Sequence, residues 1–422
     1  MPAEWISAAE AARRLGVKQA SLYSYVSRGV LARRKAQGSR ASLFIASEVE
    51  GLARRGRPRR APGAAELVIE TELTEITGDH LRYRGIDAIG LARTRSFEQV
   101  ACLLWTGSLD EHEHGQPARS WEATGAAVGA GTAAQAALPS GTLPLERLQV
   151  IVPALAATDP LRLHLDPPAV IAAGRCLIAG MVDCLPVVRH GAPDGAASAG
   201  RGVIAGRLVP KLCETDPGPG LVDAVRAALV LLADHELAAS TLAARVAASV
   251  RADPYAVVAT GLGAVGGSLH GGASFGAEVM LRAAGQPAEA ARVVGDLLRR
   301  GERIPGFGHF VYRGRDPRAV LLFELIRAAA PESQRLAVAD AVIAEASRRA
   351  LPEPNIDFAL ATLAVVAGMT PGSGEAMFAV ARAAGWLAHA LEEYARNTPI
   401  RPRGIYTGPP PRQLDAPSIA PG

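Results

Sequence analysis

Cysteine and aromatic residues are scarce in this chain, which has 422 residues, four cysteines and 5% aromatic residues. The cysteines form no Cys-x-x-Cys pair, and no histidine lies beside them at zinc-ligand spacing. This pattern argues against a structural zinc site. We therefore expect free thiols, a reducing cytoplasm and no bound metal.

Long apolar runs are lacking as well. The longest, from Phe358 to Met369, is too short to span a bilayer and is typical of a buried helix. The first residues, Met-Pro-Ala-Glu-Trp, form no apolar signal region. We therefore expect a soluble cytoplasmic protein that has no membrane partner.

Runs that combine Val, Ile, Thr and aromatic residues are few, so large sheets are not expected. Ala and Leu are plentiful instead, and both lose little side-chain freedom in a helix. The length also exceeds the usual single-domain range. The sequence therefore predicts a mainly α protein with two or three domains.

Charge is distributed unevenly along the chain. Residues 1–60 contain thirteen Lys or Arg and four Asp or Glu, a balance of +9. The whole chain has a net charge of +4, so residues 61–422 total −5. Such polarity indicates an N-terminal segment with its own partner, for which nucleic acid is a candidate.

Residues 1–55 contain signals for three short helices and one hairpin. Ser7 is placed to cap a first helix, Gly16 and Val17 form a turn, and Gly29 ends a second helix. Two helices joined by a Gly-containing turn are the helix-turn-helix pattern. The predicted elements are helices at 8–15, 19–28 and 47–55 and a hairpin at 31–45.

The stretch AAEAARRLGVKQASLYSYVSRGVL, followed by a basic wing, resembles the winged helix-turn-helix domain of the MerR or excisionase type. The resemblance implies two sets of DNA-binding residues. Near base edges it places Gln19, Ser21, Tyr23 and Ser24, and near phosphates Arg28, Arg33, Arg34 and Arg40. The alternative is a solvated basic domain used for docking or for contacts between subunits.

The rest of the chain divides by composition. Residues 56–65 form a basic linker rich in Pro and Gly, which cannot build a core. Residues 66–408 contain one candidate strand or hairpin and then mostly helical patterns. Within them, the Ala- and Gly-rich stretch 107–147 is predicted to include a mobile loop or to form a subunit contact. Residues 409–422 are a Pro-rich tail.

Five polar stretches interrupt the apolar helical part. They are RYRGIDA (82–88), ADHELAAST (233–241), GSLHGGASFGAE (267–278), RIPGFGHFVYRGRDPRA (303–319) and PNIDFALATL (354–363). Together and in this order they resemble the signature motifs of citrate synthases over roughly residues 66–408. The resemblance implies a two-lobed helical fold, with a large lobe at about 66–271 and 379–408 and a small lobe at about 272–378. The small lobe would close over the substrates.

The resemblance also implies a reaction between an acyl-CoA and a 2-oxo acid. A thioester methyl group is a very weak acid, so its deprotonation needs a positioned base, which Asp357 matches. A helix N-cap is the common alternative use of such an aspartate. His270 matches the donor to the enol oxygen, and His309 matches the residue that polarises the keto oxygen.

Further matches concern binding. His235, Arg318 and Arg382 match the residues that hold the carboxylates of oxaloacetate, for which guanidinium groups are suited. Arg313 matches a position that contacts a phosphate of CoA. Arg401 matches an arginine that reaches the site of the neighbouring subunit, which implies a homodimer or larger oligomer. No cofactor is implied, because acetyl-CoA or propionyl-CoA is a substrate.

The motifs depart from the family at Ala238, Ser268, Ser274 and Ala359–Ala361, where relatives usually carry Asn, Pro, Asn and Tyr-Ser-Gly. These changes flank the site, and they do not determine which acyl group the enzyme uses. Citrate synthase is the first hypothesis, and 2-methylcitrate synthase using propionyl-CoA is the second. A DNA-binding regulator with a metabolite-sensing domain is the third, although a pure sensor has no need of a catalytic base.

Overall fold

We describe a computed structural model of the full chain. The described residues are 5–15, 17, 19, 22, 25–26, 30–35, 42–54 (backbone only from 51), 68–110, 121–188, 203–267, 270, 272–312, 314–403 and 407–408. The chain divides into two compact units, Met1–Glu70 and Thr71–Gly422. Each unit is described by itself below.

The first unit combines a small antiparallel sheet with helices. Its elements are β1 (Trp5–Ser7), α1 (Ala8–Leu15), β2 (Arg33–Lys35), β3 (Ser42–Ile45) and α2 (Ala46–Arg54), and the strand order is β1-β3-β2. Leu22, Phe44 and Val49 are fully buried in its core. Ser7 accepts a hydrogen bond from the Glu10 amide at 3.2 Å, which caps α1 as predicted.

Strand β1 was not predicted from the sequence. It pairs with β3 over only three residues, from Trp5 opposite Ile45 to Ser7 opposite Leu43. The predicted hairpin corresponds to the pairing of β2 with β3. The second predicted helix, 19–28, lies mostly outside the described residues, so the helix-turn-helix motif stays a prediction.

The second unit opens with a three-stranded antiparallel sheet, β4 (Thr74–Thr77), β5 (His80–Tyr83) and β6 (Ile86–Asp87). Gly78, in the β4–β5 turn, has a φ of 63°, which glycine adopts without strain. The long strand signal before residue 77 therefore forms only the short first arm of a hairpin.

Helices build the rest of the second unit, as predicted for a mainly α protein. They are α3 (Ala88–Thr94), α4 (Phe97–Thr106), α5 (Gly125–Ala136), α6 (Pro144–Ala156), α7 (Pro167–Cys184), α8 (Val203–Leu212), α9 (Pro219–Leu232), α10 (Ala239–Ser249), α11 (Pro254–Val265), α12 (Gly272–Ala283), α13 (Ala290–Arg299), α14 (Pro317–Ala329), α15 (Gln334–Arg348), α16 (Ile356–Val366) and α17 (Ser373–Arg396).

The low-complexity stretch 107–147 is only partly the loop that was predicted. Residues 121–147 contain helix α5, which Thr124 caps by accepting from the Ala127 amide at 3.2 Å, and the start of α6. Alanine favours helices even where no amphipathic pattern is visible. Residues 111–120 lie outside the described part of the chain.

Helix α17 is the centre of the second unit, and 20 of its 24 residues are buried. A helix that is covered on all sides must be surrounded by other helices, and α17 packs against α4, α7, α9, α10 and α11. Close approach requires small residues. A Cβ atom at Gly385 would overlap the Ala233 carbonyl oxygen, so only glycine fits there.

Helix α7 is long and apolar enough to cross a membrane by length and composition alone. However, 61% of its apolar window is buried inside the unit. Val170, Leu177 and Met181 on this helix belong to the hydrophobic core. Helix α7 therefore packs as a core helix of this fold.

A matched pair of glycines on α11 tests the packing against α17. A Cβ atom at Gly261 would lie 2.5 Å from the ring of Trp386, whereas one at Gly263 meets nothing within 4 Å. Gly261→Ala is expected to lower the free energy of unfolding by ~1–3 kcal/mol because of overpacking. Gly263→Ala is expected to raise it by up to about 1 kcal/mol. Thermal unfolding measures both, and equal effects of the two variants would contradict this packing.

Candidate active site

Three of the predicted site residues meet around two aromatic contacts. The rings of His235 and His309 have centroids 5.3 Å apart, in an edge-to-face arrangement. The Tyr312 ring lies 4.8 Å from that of His309, and the Arg318 guanidinium lies 5.6 Å above the Tyr312 ring. The motifs at 233–241 and 303–319 therefore form one site.

The proton of His309 is placed by its own loop. Its Nδ1 accepts a hydrogen bond from the Val311 amide at 2.9 Å. Burial, followed by the charge of Arg318, lowers the pKa of His309 to about 4, so the ring is neutral at pH 7. A neutral imidazole that accepts at Nδ1 carries its proton on Nε2.

The Nε2 atom of His309 lies 3.3 Å from Nη2 of Arg318. Both atoms are donors in this protonation state, so they cannot form a hydrogen bond with each other and both need an acceptor. An oxygen atom beside the pair, within hydrogen-bond distance of each nitrogen, would accept from both. The arrangement is thus suited to a carbonyl or carboxylate oxygen of a ligand.

His270 lies in a second contact group, between α10 and α17. Its Nε2 is 2.8 Å from the Ser240 hydroxyl, and its ring meets the edge of Phe378 with a centroid distance of 5.6 Å. Burial lowers the pKa of His270 to about 4. When the Ser240 hydroxyl donates to Nε2, the proton of the neutral ring is on Nδ1, which is then the donor for a ligand.

His235 is buried and faces Tyr312. Its Nε2 lies 3.0 Å from the Tyr312 hydroxyl. Burial and the charges of Arg318 and Arg382 hold the pKa of His235 well below its usual range. The ring is therefore neutral and supplies hydrogen bonds, with no charge.

Asp357 is the second residue of helix α16 and does not cap it. The cap is Asn355, whose side-chain oxygen accepts from the Asp357 amide at 2.9 Å and the Phe358 amide at 3.4 Å. The N-cap alternative for Asp357 is therefore wrong. No described residue donates a hydrogen bond to the Asp357 carboxylate. Burial raises its pKa to about 6, which makes it a stronger base than an exposed aspartate.

The two buried arginines of the site differ in their partners. Arg318 forms hydrogen bonds from Nε and Nη2 to the two carboxylate oxygens of Asp316, at 3.0 and 2.8 Å. Arg382 is 1% exposed, and its Nε donates to the Leu232 carbonyl at 2.7 Å. Among the described residues, no carboxylate lies within ion-pair distance of Arg382. A buried guanidinium without a carboxylate favours an anionic ligand.

Other predicted residues are not brought into this site. Arg401 is exposed, and no described residue forms an ion pair with its side chain. Arg313, matched to a CoA phosphate, lies outside the described residues. Of the DNA-binding set, Gln19, Arg33 and Arg34 are exposed in the first unit, and the Arg34 guanidinium stacks 4.2 Å above the Trp5 ring. Outside the described residues lie Ser21, Tyr23, Ser24, Arg28 and Arg40.

Sequence reasoning missed four polar residues that touch the predicted ones. Ser240, Tyr312 and Asp316 contact His270, His235 and Arg318. The fourth, Asn355, caps the helix of Asp357. All four stand inside the quoted motifs, so the motif positions were a signal, but the pairings needed the fold.

The site combines a basic carboxylate, three neutral imidazoles and two buried guanidinium groups in an all-helical unit. No group of three or more His, Cys, Asp or Glu side chains that could hold a metal occurs within the described ranges. Such a set suits an acid–base enzyme that removes a proton and binds carboxylates.

Comparison with known proteins gives the family. The sequence model of the family described as "Citrate synthase, C-terminal domain" matches residues 64–403. Citrate synthase 2 of Bacillus subtilis is 33% identical over 351 residues, which cover 80% of this chain and 93% of the relative. The 2-methylcitrate synthase of Mycobacterium tuberculosis is 31% identical over 373 residues, covering 85% of this chain and 93% of the relative.

A solved structure has the same fold. It is the ternary complex of carboxymethyl coenzyme A and oxaloacetate with citrate synthase from the archaeon Thermoplasma acidophilum. It superposes with a TM-score of 0.67 and 25% identity, covering 83% of this chain and 96% of the other. The chain belongs to the citrate synthase family, whose members are acyltransferases.

Proposed function

We propose that this protein condenses acetyl-CoA with oxaloacetate and hydrolyses the resulting thioester to citrate and CoA. The observation that carries the proposal is the basic Asp357 carboxylate, to which no described residue donates, in the same site as the Arg382 guanidinium, which no described carboxylate pairs with. The first is suited to remove a proton from the acyl group, and the second to hold a carboxylate of the 2-oxo acid.

Each side chain then has one task. Asp357 takes a proton from the acyl methyl carbon, while His270 donates a hydrogen bond to the thioester oxygen that becomes the enol oxygen. His309 donates from Nε2 to the keto oxygen and makes its carbon electrophilic. The enol carbon bonds to that carbon while the keto π bond breaks, and the resulting alkoxide takes the Nε2 proton of His309. Water then adds to the thioester carbonyl, the C–S bond breaks, and CoA leaves as a thiol with a proton from that water.

The neutral state of His270 and His309 supports these tasks. Burial lowers the pKa of both rings to about 4, and the charge of Arg382 beside His270 and of Arg318 beside His309 contributes to this lowering. The rings therefore donate hydrogen bonds at pH 7 without adding positive charge.

The second candidate, 2-methylcitrate synthase, has the same chemistry with propionyl-CoA. Its specific support is the identity to 2-methylcitrate synthases, 31%, against 33% to citrate synthases. Ala359, buried two residues after Asp357, is smaller than the tyrosine usual in the family. One extra methylene changes binding by ~1–3 kcal/mol, so the two activities differ in degree.

Thiol release from acetyl-CoA and propionyl-CoA with oxaloacetate tests the function. We expect release with both substrates and kcat/KM falling as pH drops below about 6, because Asp357 must be deprotonated. Asp357→Asn is expected to lower kcat by ~10²–10⁴-fold. Asp340→Asn, at an exposed ion pair with Arg327, is the matched control and is expected to change nothing. No release with either substrate would exclude the enzyme, and an unchanged Asp357→Asn rate would exclude this base.

We also propose a homodimer in which Arg401 completes the site of the partner. Its support is the motif match and the exposure of Arg401 away from the other site residues. Mixing the two inactive variants Asp357→Asn and Arg401→Gln, with subunit exchange, is expected to restore about a quarter of wild-type activity. This recovery arises because half of the dimers are hybrids with one intact site. No recovery in a preparation shown by light scattering to be dimeric would contradict the shared site.

We further propose that the first unit is a winged helix-turn-helix domain that binds DNA. The balance of +9 in residues 1–60 and the exposed Arg33 and Arg34 support this proposal. A salt titration of DNA affinity is expected to show a negative slope, which Arg33→Gln with Arg34→Gln reduces by about 2. Arg299→Gln, exposed in the second unit, is the control. No DNA binding at low salt would leave docking to a protein as the task of this unit.

A further inference from the structure

The side chain of Asn355 joins two segments of the site. Its Oδ1 accepts from the amides of Asp357 and Phe358, at 2.9 and 3.4 Å. Its Nδ2 donates to the Gly308 carbonyl at 2.8 Å. Asn355 is 9% exposed, so few waters can substitute for these bonds. One amide group therefore links the helix of Asp357 to the residue before His309.

Backbone contacts fix the same two segments. The Asn355 amide donates to the Gly306 carbonyl at 2.8 Å, and the Gly308 amide donates to the Glu353 carbonyl at 2.9 Å. Gly306 has a φ of 78°, and a Cβ atom there would lie 2.6–2.8 Å from atoms of Phe358. The loop thus lies directly on the start of α16, and small shifts of Asn355 reach His309.

The first amides of α16 are all occupied by other side chains. Asp316 Oδ2 accepts from the Ile356 amide at 3.0 Å, and Asn355 accepts from the next two. Free amides at a helix N-terminus attract a nearby carboxylate. Because these amides already donate to Asp316 and Asn355, they are not available as donors to the Asp357 carboxylate.

We propose that Asn355 is a positioning residue that keeps the Asp357 carboxylate free to act as base and fixes the loop of His309 relative to it. The inference rests on the proposed function, in which Asp357 and His309 act on the two substrates. It adds that the strength of the base depends on a neighbouring amide that touches neither substrate.

The charged groups around Asp357 come from several elements. Arg318 and Asp316 face it from the start of α14, and Arg382 faces it from α17. Glu375, also on α17, interacts electrostatically with Asp357. Glu278 of α12 instead accepts from the Gly372 and Gly374 amides, at 3.0 Å each. Replacement of Asn355 by a neutral residue leaves all of these charges in place.

Two variants of Asn355 separate its tasks. In Asn355→Ala, the Asp357 carboxylate can accept from the freed amides, which stabilises its charged form and lowers its pKa. The acidic limb of kcat/KM is expected to move down by about one pH unit, and kcat to fall ~10²-fold. Asn355→Ser retains an acceptor at the cap and lacks the donor to Gly308. The acidic limb of kcat/KM in Asn355→Ser is expected to stay near that of the wild type, while kcat falls.

Ser333→Ala is the matched control, because Ser333 caps α15 through the Leu336 amide at 3.4 Å and lies outside the site. It is expected to keep both kcat and the limb, measured like the others where circular dichroism shows folded protein. The proposal is overturned if the acidic limb of kcat/KM does not move in Asn355→Ala, or if it moves equally in Asn355→Ser. Both outcomes count even if the variants are less stable.

A direct titration separates this inference from the proposed function. Carbon-13 NMR of carboxyl-labelled aspartate, with the signal assigned by its loss in Asp357→Asn, reports the Asp357 carboxyl without substrate. The expected result is a lower pKa in Asn355→Ala than in the wild type. If the wild type releases no thiol, the function fails while this titration still decides the role of Asn355; an unchanged pKa overturns it.

Discussion

The guanidinium group of Arg382 lies inside the helical core, and the rest of the site depends on how that charge is held. Burial of an unpaired charge costs several kcal/mol. Arg245, which is also buried, is paired with Glu392 and Glu393 of α17. Arg382 contacts the Leu232 carbonyl and the face of the Phe378 ring, 4.5 Å away, and no described carboxylate pairs with it. The fold therefore tolerates a cost that an anionic ligand would remove. Because neighbouring helices cover α17 around Arg382, the guanidinium group has no access to solvent.

The catalytic groups share one arrangement. A neighbouring residue forms a hydrogen bond with an atom in or beside each catalytic side chain, so that the side chain's other polar atoms stay available. The Val311 amide occupies Nδ1 of His309, Ser240 occupies Nε2 of His270, and Asn355 occupies the amides beside Asp357. Each histidine is thereby left with one ring nitrogen, and Asp357 with both carboxylate oxygens, to engage a substrate. Unpaired polar atoms in a buried site are unstable alone, and they are the atoms that a substrate can engage.

The sequence predicted the helical class and the order of the motifs, because composition and motif order are local properties. It did not predict that Asn355 and not Asp357 caps α16, since both residues are good caps and the fold decides between them. The partnership of His235 with Tyr312 joins residues 77 positions apart, so it could not be found without the fold. Helix α5 was missed because its Ala- and Gly-rich sequence has no amphipathic period.

The identity of the acyl group depends on weaker forces than the reaction does. Charges and hydrogen bonds in a buried site are worth several kcal/mol, so Arg318, Arg382 and Asp357 restrict the chemistry strongly. An apolar wall discriminates weakly between acyl groups, because one methylene is worth only ~1–3 kcal/mol. Ser274 packs so closely on Gly374 that a Cβ atom at position 374 would overlap the Ser274 hydroxyl. Ala359 and Ala361, in contrast, give α16 small side chains. Preference between acetyl and propionyl groups therefore depends on packing shape, which charges do not fix.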